Sequence, residues 1–168
     1  MIKVGLLSDT HTFLDTGILH HLAGCDEVWH AGDFGNLTVA EGLTLPGRPL
    51  RGVYGNIDGQ DVRATYPEKL QWTCEDLRVY MIHIGGYPGR YAPGVREDLQ
   101  RYRPGLFISG HSHILKIMPD TKLQCLHINP GAAGNQGWHK VRTLVRFTVD
   151  GATLKDCEVV ELGSRSAL

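Results

Sequence analysis

The feature that most constrains this chain is a repeated pattern in which an apolar stretch runs directly into polar residues. "IKVGLL" leads into "SDTH", "EVWHAGD" ends in Asp33, and "PLRGVYGN" ends in Asn56. Between these predicted strands, Asp15 is expected to cap a helix over "TGILHHLA" and a second helix is expected over about residues 37–42. Strand, helix, strand implies parallel crossovers, so successive strands end at one edge of a sheet. The first half therefore predicts an α/β fold with polar residues collected at that edge.

The second half is richer in predicted strands. "KLQWTC" and "LRVYMIHIGG", separated by "ED", predict a hairpin, and "GVREDLQRYR" between Pro93 and Pro104 predicts a helix. Further strands are expected in "GLFISG", "HILKIMP", "LQCLHINPG", "VRTLVRFTV" and "ATLKDCEVVEL", with a turn at Asp150 and Gly151 joining the last two. At 168 residues the chain fits a single domain. We expect that domain over residues 1–162 and a frayed tail over residues 163–168.

Composition excludes several classes of protein. The net charge of -1 gives the whole chain no electrostatic preference for nucleic acid or an anionic membrane. The four cysteines are widely spaced, which is not typical of a zinc knuckle and predicts reduced thiols. The N-terminus lacks a signal-peptide pattern, and no apolar run approaches the ~20 residues that span a bilayer. We expect a cytoplasmic protein with no membrane partner.

The polar residues at the predicted strand ends are all of metal-ligand types. Each short motif alone, such as "GD" or "GN", usually marks only a turn. Together they supply imidazoles and oxygens, the set that suits Mn²⁺, Fe²⁺, Ni²⁺, Co²⁺ or Zn²⁺ better than Mg²⁺. A loop set without a shared function does not predict four histidines at strand ends. The candidate ligands are Asp9, His11, Asp33, Asn56, His83, His111 and His113.

The order of these motifs, D-x-H, G-D, G-N, H and G-H-x-H, resembles that of the calcineurin-like metallophosphoesterases. Within that family the chain is similar to the small bacterial and archaeal phosphodiesterases related to the retromer subunit of the VPS29 type. The resemblance extends to "INPGAAG" near Asn129. It implies a four-layer α/β/β/α sandwich of two mixed β-sheets flanked by helices. It further implies that Asp33 bridges two metals, one held by Asp9, His11 and His113 and the other by Asn56, His83 and His111.

The resemblance also implies an activity, the hydrolysis of small phosphodiesters through a hydroxide that bridges two divalent metal ions. Mn²⁺ is the expected metal, with Ni²⁺, Co²⁺, Fe²⁺ and Zn²⁺ as alternatives. Asn56 and His113 are predicted to be catalytic as well, through contact with the phosphate.

Two positions depart from the family pattern. Many members have a histidine directly after the G-N asparagine that acts as a proton donor, and this chain has Ile57 there. A second histidine commonly follows two residues after the H motif, where this chain has Gly85. The usual general acid is therefore missing. His139 and Asn135 are candidates for the rim of the site, although an ordinary loop is the stronger interpretation, and His30 is expected to pack beside Asp33.

Two other functions stay open. A protein-interaction scaffold of the retromer-subunit type has the same fold, but it has no need of all seven ligand positions. A nuclease requires a cationic track, and the arginines at 90, 96, 101 and 103 are interrupted by Glu97 and Asp98, so long nucleic-acid polymers are not expected as substrates. The oligomeric state is open, and a homo-oligomer is compatible with the sequence.

Overall fold

The computed structural model describes residues 1–166, and residues 167 and 168 lie outside it. In chain order the elements are β1 (Ile2–Leu7), α1 (Thr16–Leu22), β2 (Glu27–His30), α2 (Leu37–Leu43), β3 (Leu50–Gly52), α3 (Gln60–Thr65), β4 (Lys69–Cys74), β5 (Leu77–Ile82), β6 (Gly86–Tyr87), β7 (Arg90–Tyr91), α4 (Val95–Tyr102), β8 (Leu106–Ile108), β9 (Lys116–Asp120), β10 (Cys125–Asn129), β11 (Val141–Asp150) and β12 (Thr153–Ser164).

The strands form two five-stranded mixed sheets and a small hairpin of β6 and β7. The first sheet has the order β12-β11-β1-β2-β3, with β1, β2 and β3 parallel and β11 antiparallel to β1. The second has the order β4-β5-β8-β10-β9, with β5, β8 and β10 parallel and both edge strands antiparallel to their neighbours. Helices connect the parallel pairs β1–β2, β2–β3 and β5–β8, as the alternation of strands and helices predicts, whereas β10 follows the edge strand β9.

Three apolar layers hold these sheets and helices together. The central core lies between the two sheets, where Leu6 and Trp29 of the first sheet and Met81 of the second are fully buried. A second core packs α1, α2 and α3 on the outer face of the first sheet, and a third packs α4 on the outer face of the second. Alternate residues of β1 serve different cores, Leu6 the central one and Leu7 the outer one, because successive strand side chains point to opposite faces. The predicted four-layer sandwich is confirmed.

Local sequence signals account for several element boundaries. The Asp15 carboxylate accepts a hydrogen bond from the Ile18 N–H at 2.9 Å and so caps α1, as predicted. Asn36 caps α2 in the same way. The predicted hairpin of β4 and β5 is present, and Glu75 in its turn has a left-handed φ of 50°. Helix α3 and the β6–β7 hairpin are not predicted by the sequence pattern.

Two predicted boundaries are wrong. The third strand was expected to continue to Asn56 but ends at Gly52, because the Tyr54 N–H turns away to donate to the Pro67 carbonyl. The tail was expected to fray from residue 163, yet Gly163 and Ser164 continue β12 by pairing with β11, and Arg165 donates to the Lys140 and His139 carbonyls. Residues 167 and 168 of that predicted tail lie outside the described residues.

The helices within residues 1–166 are too short and too polar to cross a bilayer. Cys25, Cys74 and Cys125 are buried free thiols, and Cys157 is an exposed one.

Candidate metal centre

The candidate ligands come from loops that follow strands of both sheets. Asp9 follows β1, Asp33 follows β2 and Asn56 lies beyond β3, whereas His83 follows β5 and His111 lies just beyond β8. Ligands of an open α/β sheet bind at the carboxyl ends of its strands. Here the ends of two sheets face one another across a single crevice, so the structure brings the predicted residues together. They are Asp9, His11, Asp33, Asn56, His83, His111 and His113.

The backbone at this crevice is held in an uncommon conformation. Five of the seven candidate ligands have positive φ angles between 46° and 72°. Such angles are unfavourable for residues other than glycine, and they cluster at functional sites where the surroundings impose them. The loops are therefore shaped to present these side chains. The five are Asp9, His11, Asp33, His111 and His113.

The first ligand group consists of Asp9, His11 and His113, whose ligand atoms lie within 4.8 Å of one another. The Nε2 atom of His113 is 3.1 Å from Asp9 Oδ1, and that of His11 is 3.8 Å from the same oxygen. Two imidazole nitrogens and one carboxylate oxygen thus face a common point.

The second group consists of Asp33, His83 and His111, again within 4.8 Å of one another. Asn56 belongs with them, because its Oδ1 atom lies 3.1 Å from His83 Nε2 and 3.0 Å from His111 Nδ1. The group therefore offers two imidazoles, one carboxylate and one amide oxygen.

Asp33 lies between the two groups. Its Oδ2 atom is 3.3 Å from His11 Nε2 in the first group and 3.1 Å from His83 Nε2 in the second. Its other oxygen, Oδ1, accepts the Ile57 backbone N–H at 3.1 Å. One carboxylate oxygen is thus fixed by the backbone while the other faces both groups, which is the position of a bridging ligand.

The donor set fits divalent cations. Asp9 uses Oδ2 to accept hydrogen bonds from the Ser8 hydroxyl at 2.6 Å and the His111 N–H at 3.1 Å. Its Oδ1 atom and the Nε2 atom of His11 are buried without a hydrogen-bond partner. Buried polar atoms that lack partners are costly, and a cation at the centre of each group would satisfy them. The site therefore has the chemistry of a metal centre.

The tautomer of His83 is set by the main chain. Its Nδ1 atom lies 2.7 Å from the Ala31 carbonyl oxygen, which can only accept, so Nδ1 carries the hydrogen. The Nε2 lone pair then points toward Asp33 and Asn56. Orientation of a histidine ligand by a carbonyl is common at metal sites, where it fixes both the ring and its basicity.

The electrostatics of the cluster favour positive charge at its centre. Burial raises the pKa of Asp9, but the imidazoles of His11 and His113 outweigh this effect and hold the pKa below its ordinary value. The pKa of Asp33 is likewise lowered, because His11 and His83 outweigh its burial. Asp33 and Asp9 together raise the pKa of His11 to about 9. A divalent cation supplies the positive charge that these carboxylates stabilise.

Glycine is required where loops of the centre approach one another. A Cβ atom on Gly55 would overlap the Asp33 carboxylate and backbone, and one on Gly32 would lie 2.5 Å from His83 Nδ1. Gly32 also has a φ of 102°, which side chains strongly disfavour.

Asp58 is an organising residue that the sequence analysis did not identify. It is 3% exposed, and its carboxylate accepts the N–H groups of Phe34, Gly35 and Gly55 at 3.2, 2.8 and 2.8 Å. It therefore ties the loop of Asp33 to the loop of Asn56. Only its spacing after the G-N motif could have indicated this.

Two other buried side chains support the centre. His30 accepts the Gly32 N–H on Nδ1, so its Nε2 donates to the Thr10 hydroxyl at 3.0 Å. It stacks on Phe34, and burial lowers its pKa to about 3, so it is a neutral packing residue beside Asp33. Asn129 donates to the Gly110 carbonyl and the Ser112 hydroxyl and so anchors the loop of His111 and His113.

The two residues predicted for the rim, His139 and Asn135, differ in their contacts with the ligand groups. His139 is half-buried, with its Nδ1 atom 3.3 Å from that of His113. Asn135 is half-buried in the same loop and makes no side-chain hydrogen bond to another residue within 1–166. Ile57 is 45% exposed beside Asn56, and Gly85 packs against Phe107, so neither supplies a proton donor.

Comparison with known proteins identifies the family. Residues 2–152 match the family model of the calcineurin-like phosphoesterase superfamily domain. The chain belongs to the calcineurin-like phosphoesterase superfamily. This assignment confirms the family expected from the motif order, and the metal dependence of that family agrees with the two ligand groups. No curated protein sequence is significantly similar to the chain.

Several solved structures share the fold of this chain. An archaeal phosphodiesterase is 20% identical with a TM-score of 0.72, and the match covers 95% of this chain and 100% of that one. A conserved Streptococcus pneumoniae protein, predicted to be a phosphoesterase, is 19% identical with a TM-score of 0.70, covering 96% and 90% of the two chains. Vps29 from Entamoeba histolytica, in complex with Zn²⁺, is 15% identical with a TM-score of 0.69, covering 96% and 100%.

Proposed function

We propose that this protein is a dinuclear metal-dependent phosphodiesterase that hydrolyses small phosphodiesters. The observation that carries the proposal is the position of Asp33 Oδ2, within 3.3 Å of a histidine nitrogen from each ligand group. A carboxylate in that position would be a ligand shared by two divalent cations, which would supply the charge stabilisation used for in-line displacement at phosphorus.

Each ligand group would hold one ion. Asp9, His11 and His113 would bind the first, and Asn56, His83 and His111 would bind the second, with Asp33 shared. Bound ions of this kind supply Lewis-acid stabilisation of phosphoryl charge and lower the pKa of water, so no side-chain nucleophile is needed.

Asn56 and His113 would also contact the substrate. The Oδ1 atom of Asn56 faces His83 and His111, which leaves its Nδ2 group to donate to a phosphoryl oxygen. His113 is partly exposed at the rim of the first ligand group, where the edge of its ring would contact a bound phosphate.

We propose Mn²⁺ as the metal, with Ni²⁺, Co²⁺, Fe²⁺ or Zn²⁺ as substitutes. The seven donors include four imidazoles, which Mg²⁺ binds poorly because it prefers oxygen ligands and water. We further propose a cytoplasmic location, because Cys25, Cys74 and Cys125 are buried thiols with no disulfide partner among residues 1–166.

A protein-interaction scaffold is the second candidate. Exposed apolar side chains lie directly beside three of the ligands, namely Ile57, Ile84 and Ile114, and Trp138 is 99% exposed beside His139. Apolar residues grouped at a surface are typical of protein-binding sites, and the fold is shared with Vps29.

A metal analysis combined with a substrate panel separates the two candidates. The protein would be purified, its metal content measured by mass spectrometry, and its activity tested on bis(p-nitrophenyl) phosphate and on p-nitrophenyl phosphate. Two transition metals per chain with faster turnover of the diester support the proposal. Two bound metals with no hydrolysis of either ester would exclude the enzyme and favour the scaffold.

A further inference from the structure

A cavity of about 200 Å³ opens beside the second ligand group. It lies between the β6–β7 hairpin and the ends of β8 and β10, and it shares His111 and Gly110 with the metal centre. The Ser109 hydroxyl donates to the Gly86 carbonyl and so holds the hairpin over it. The volume is several times what one water molecule requires, so the cavity has room for part of a substrate.

His127 lines the cavity with an unused hydrogen-bond acceptor. It is fully buried, and its Nδ1 atom lies 3.2 Å from the Phe107 carbonyl oxygen, so Nδ1 must donate. The Nε2 atom is therefore the acceptor, and it is buried with no partner. Burial lowers the pKa of His127 to about 4, which keeps the ring neutral. The polar character of this part of the cavity wall agrees with a polar rather than an apolar ligand.

The charged side chains that line the cavity are all cationic. Arg90 and Lys116 are among the lining residues, whereas no lining residue in the described part of the chain is Asp or Glu. The Lys116 ammonium lies 3.5 Å from the centroid of the Tyr87 ring, which keeps it at the cavity wall. Neither cation forms an ion pair within residues 1–166. Two unneutralised cations favour an anionic ligand.

We infer that this cavity binds the organic group of the phosphoester, and that this group carries a second anionic substituent. The inference rests on the proposed phosphodiesterase activity, because the cavity adjoins the point where the scissile phosphate would lie. It specifies the substrate class as a polar phosphoester with negative charge beyond the phosphate that is cleaved. The anion of the organic group meets Arg90 and Lys116.

A matched pair of esters tests the inference. Thymidine 5′-(p-nitrophenyl phosphate) and its 3′-phosphorylated form release the same p-nitrophenol and differ only in the second phosphate. We expect kcat/KM to be about tenfold higher for the 3′-phosphorylated ester, because hydrogen bonds to charged groups outweigh neutral ones. In the double variant Arg90→Gln/Lys116→Gln the two esters should react equally. The control, Arg101→Gln/Lys122→Gln, removes the same charge outside the cavity and should keep the preference.

A binding measurement separates failure of this inference from failure of the proposed function. Calorimetry on the Mn²⁺-loaded protein would compare thymidine 3′,5′-bisphosphate with thymidine 5′-phosphate. If neither ester is hydrolysed, the proposed function fails. Tighter binding of the bisphosphate than of thymidine 5′-phosphate, lost in the Arg90→Gln/Lys116→Gln variant, would still support an anion-binding cavity. Equal kcat/KM for both esters, or equal binding of both nucleotides, in the wild-type protein would overturn the inference. Circular dichroism and thermal melting of both double variants would exclude a folding defect.

Discussion

The Nδ1 atoms of His113 and His139 lie 3.3 Å apart, and this contact determines which nitrogen of His113 faces the metal centre. The Nε2 atom of His139 is 2.8 Å from the Gly134 carbonyl oxygen, so it donates. Burial lowers the pKa of His139, which leaves Nδ1 as an acceptor. His113 must then donate from Nδ1, and its Nε2 lone pair points toward Asp9. His139 is thus a positioning residue, an outer partner of the kind that tunes metal ligands.

We predict that His139→Ala weakens metal binding at the first group and lowers kcat. Loss of an outer-sphere partner typically costs about 10- to 100-fold in metal affinity or activity. Metal titration monitored by calorimetry and kcat on bis(p-nitrophenyl) phosphate would measure the change. His20→Ala, on the exposed surface of α1, is the control. Unchanged affinity for both ions would show that His139 has no positioning role.

The convergence of the candidate ligands could be predicted from the sequence because they follow apolar runs that form strands. Strand ends in one sheet are brought together by topology alone, so Asp9, Asp33 and Asn56 required no knowledge of side-chain contacts. His139 and Asp58 could not be predicted in this way. Their roles depend on contacts with residues 23 to 26 positions away along the chain.

The misplaced boundaries have a similar physical origin. The early end of β3 depends on the Tyr54 N–H finding the Pro67 carbonyl, and the order of β12 depends on pairing with β11. Helix α3 lacks a side-chain cap at Gly59, and it is only six residues long, so its sequence carries little helical signal. The end of β3, the presence of α3 and the order of β12 therefore all depend on tertiary contacts.

We predict that Asp58→Ala lowers the free energy of unfolding by on the order of 3 kcal/mol. The change leaves the N–H groups of Phe34, Gly35 and Gly55 without their acceptor, and each unsatisfied buried donor costs about 1–3 kcal/mol. Urea unfolding would measure it. Asp61→Ala, at the start of the neighbouring helix α3, should have a much smaller effect because Asp61 is exposed. Equal stability of the two variants would contradict the assigned role.

We predict that Asp33→Ala is the most damaging of the ligand substitutions. Asp33 contacts both groups, whereas each other ligand serves one, so both ions should be lost together and turnover should fall below detection. Metal content and hydrolysis of bis(p-nitrophenyl) phosphate would be measured beside His11→Ala and the exposed control Asp76→Ala. A variant that kept two metals and wild-type turnover would disprove the bridging assignment.

We predict that a chelator abolishes activity and that Mn²⁺, Co²⁺ or Ni²⁺ restores it better than Mg²⁺. The candidate ligands are four imidazoles and only three oxygen-donating side chains. Imidazole binds these transition metals better than it binds Mg²⁺. The measurement is the rate after dialysis against EDTA and stepwise addition of each ion. Full activity in excess EDTA after dialysis would rule out a metal mechanism.

Ile57 stands at the position where the resemblance to the family implies a histidine that protonates the departing alkoxide. Its side chain is 45% exposed beside Asn56, and its N–H is committed to Asp33. General acid catalysis is typically worth about 10²- to 10⁴-fold, and its absence matters most for basic leaving groups. We therefore expect nitrophenyl diesters to be hydrolysed well and alkyl esters poorly, with the rate falling steeply as the pKa of the leaving group rises.

The variant Ile57→His should make that dependence shallower, but only in part. Asp58, the nearest carboxylate along the chain, is only 3% exposed and already accepts three backbone N–H groups, so it is poorly placed to orient a new imidazole. For the most basic leaving groups, an unoriented imidazole would raise the rate roughly tenfold, which is only part of the usual general-acid contribution. Ile57→Asn, which adds polarity without a titratable group, is the matched control. The rates of the three proteins would be measured on a series of esters whose leaving groups differ in pKa. If chemistry is rate-limiting and the wild-type rate does not depend on leaving-group pKa, another residue donates the proton.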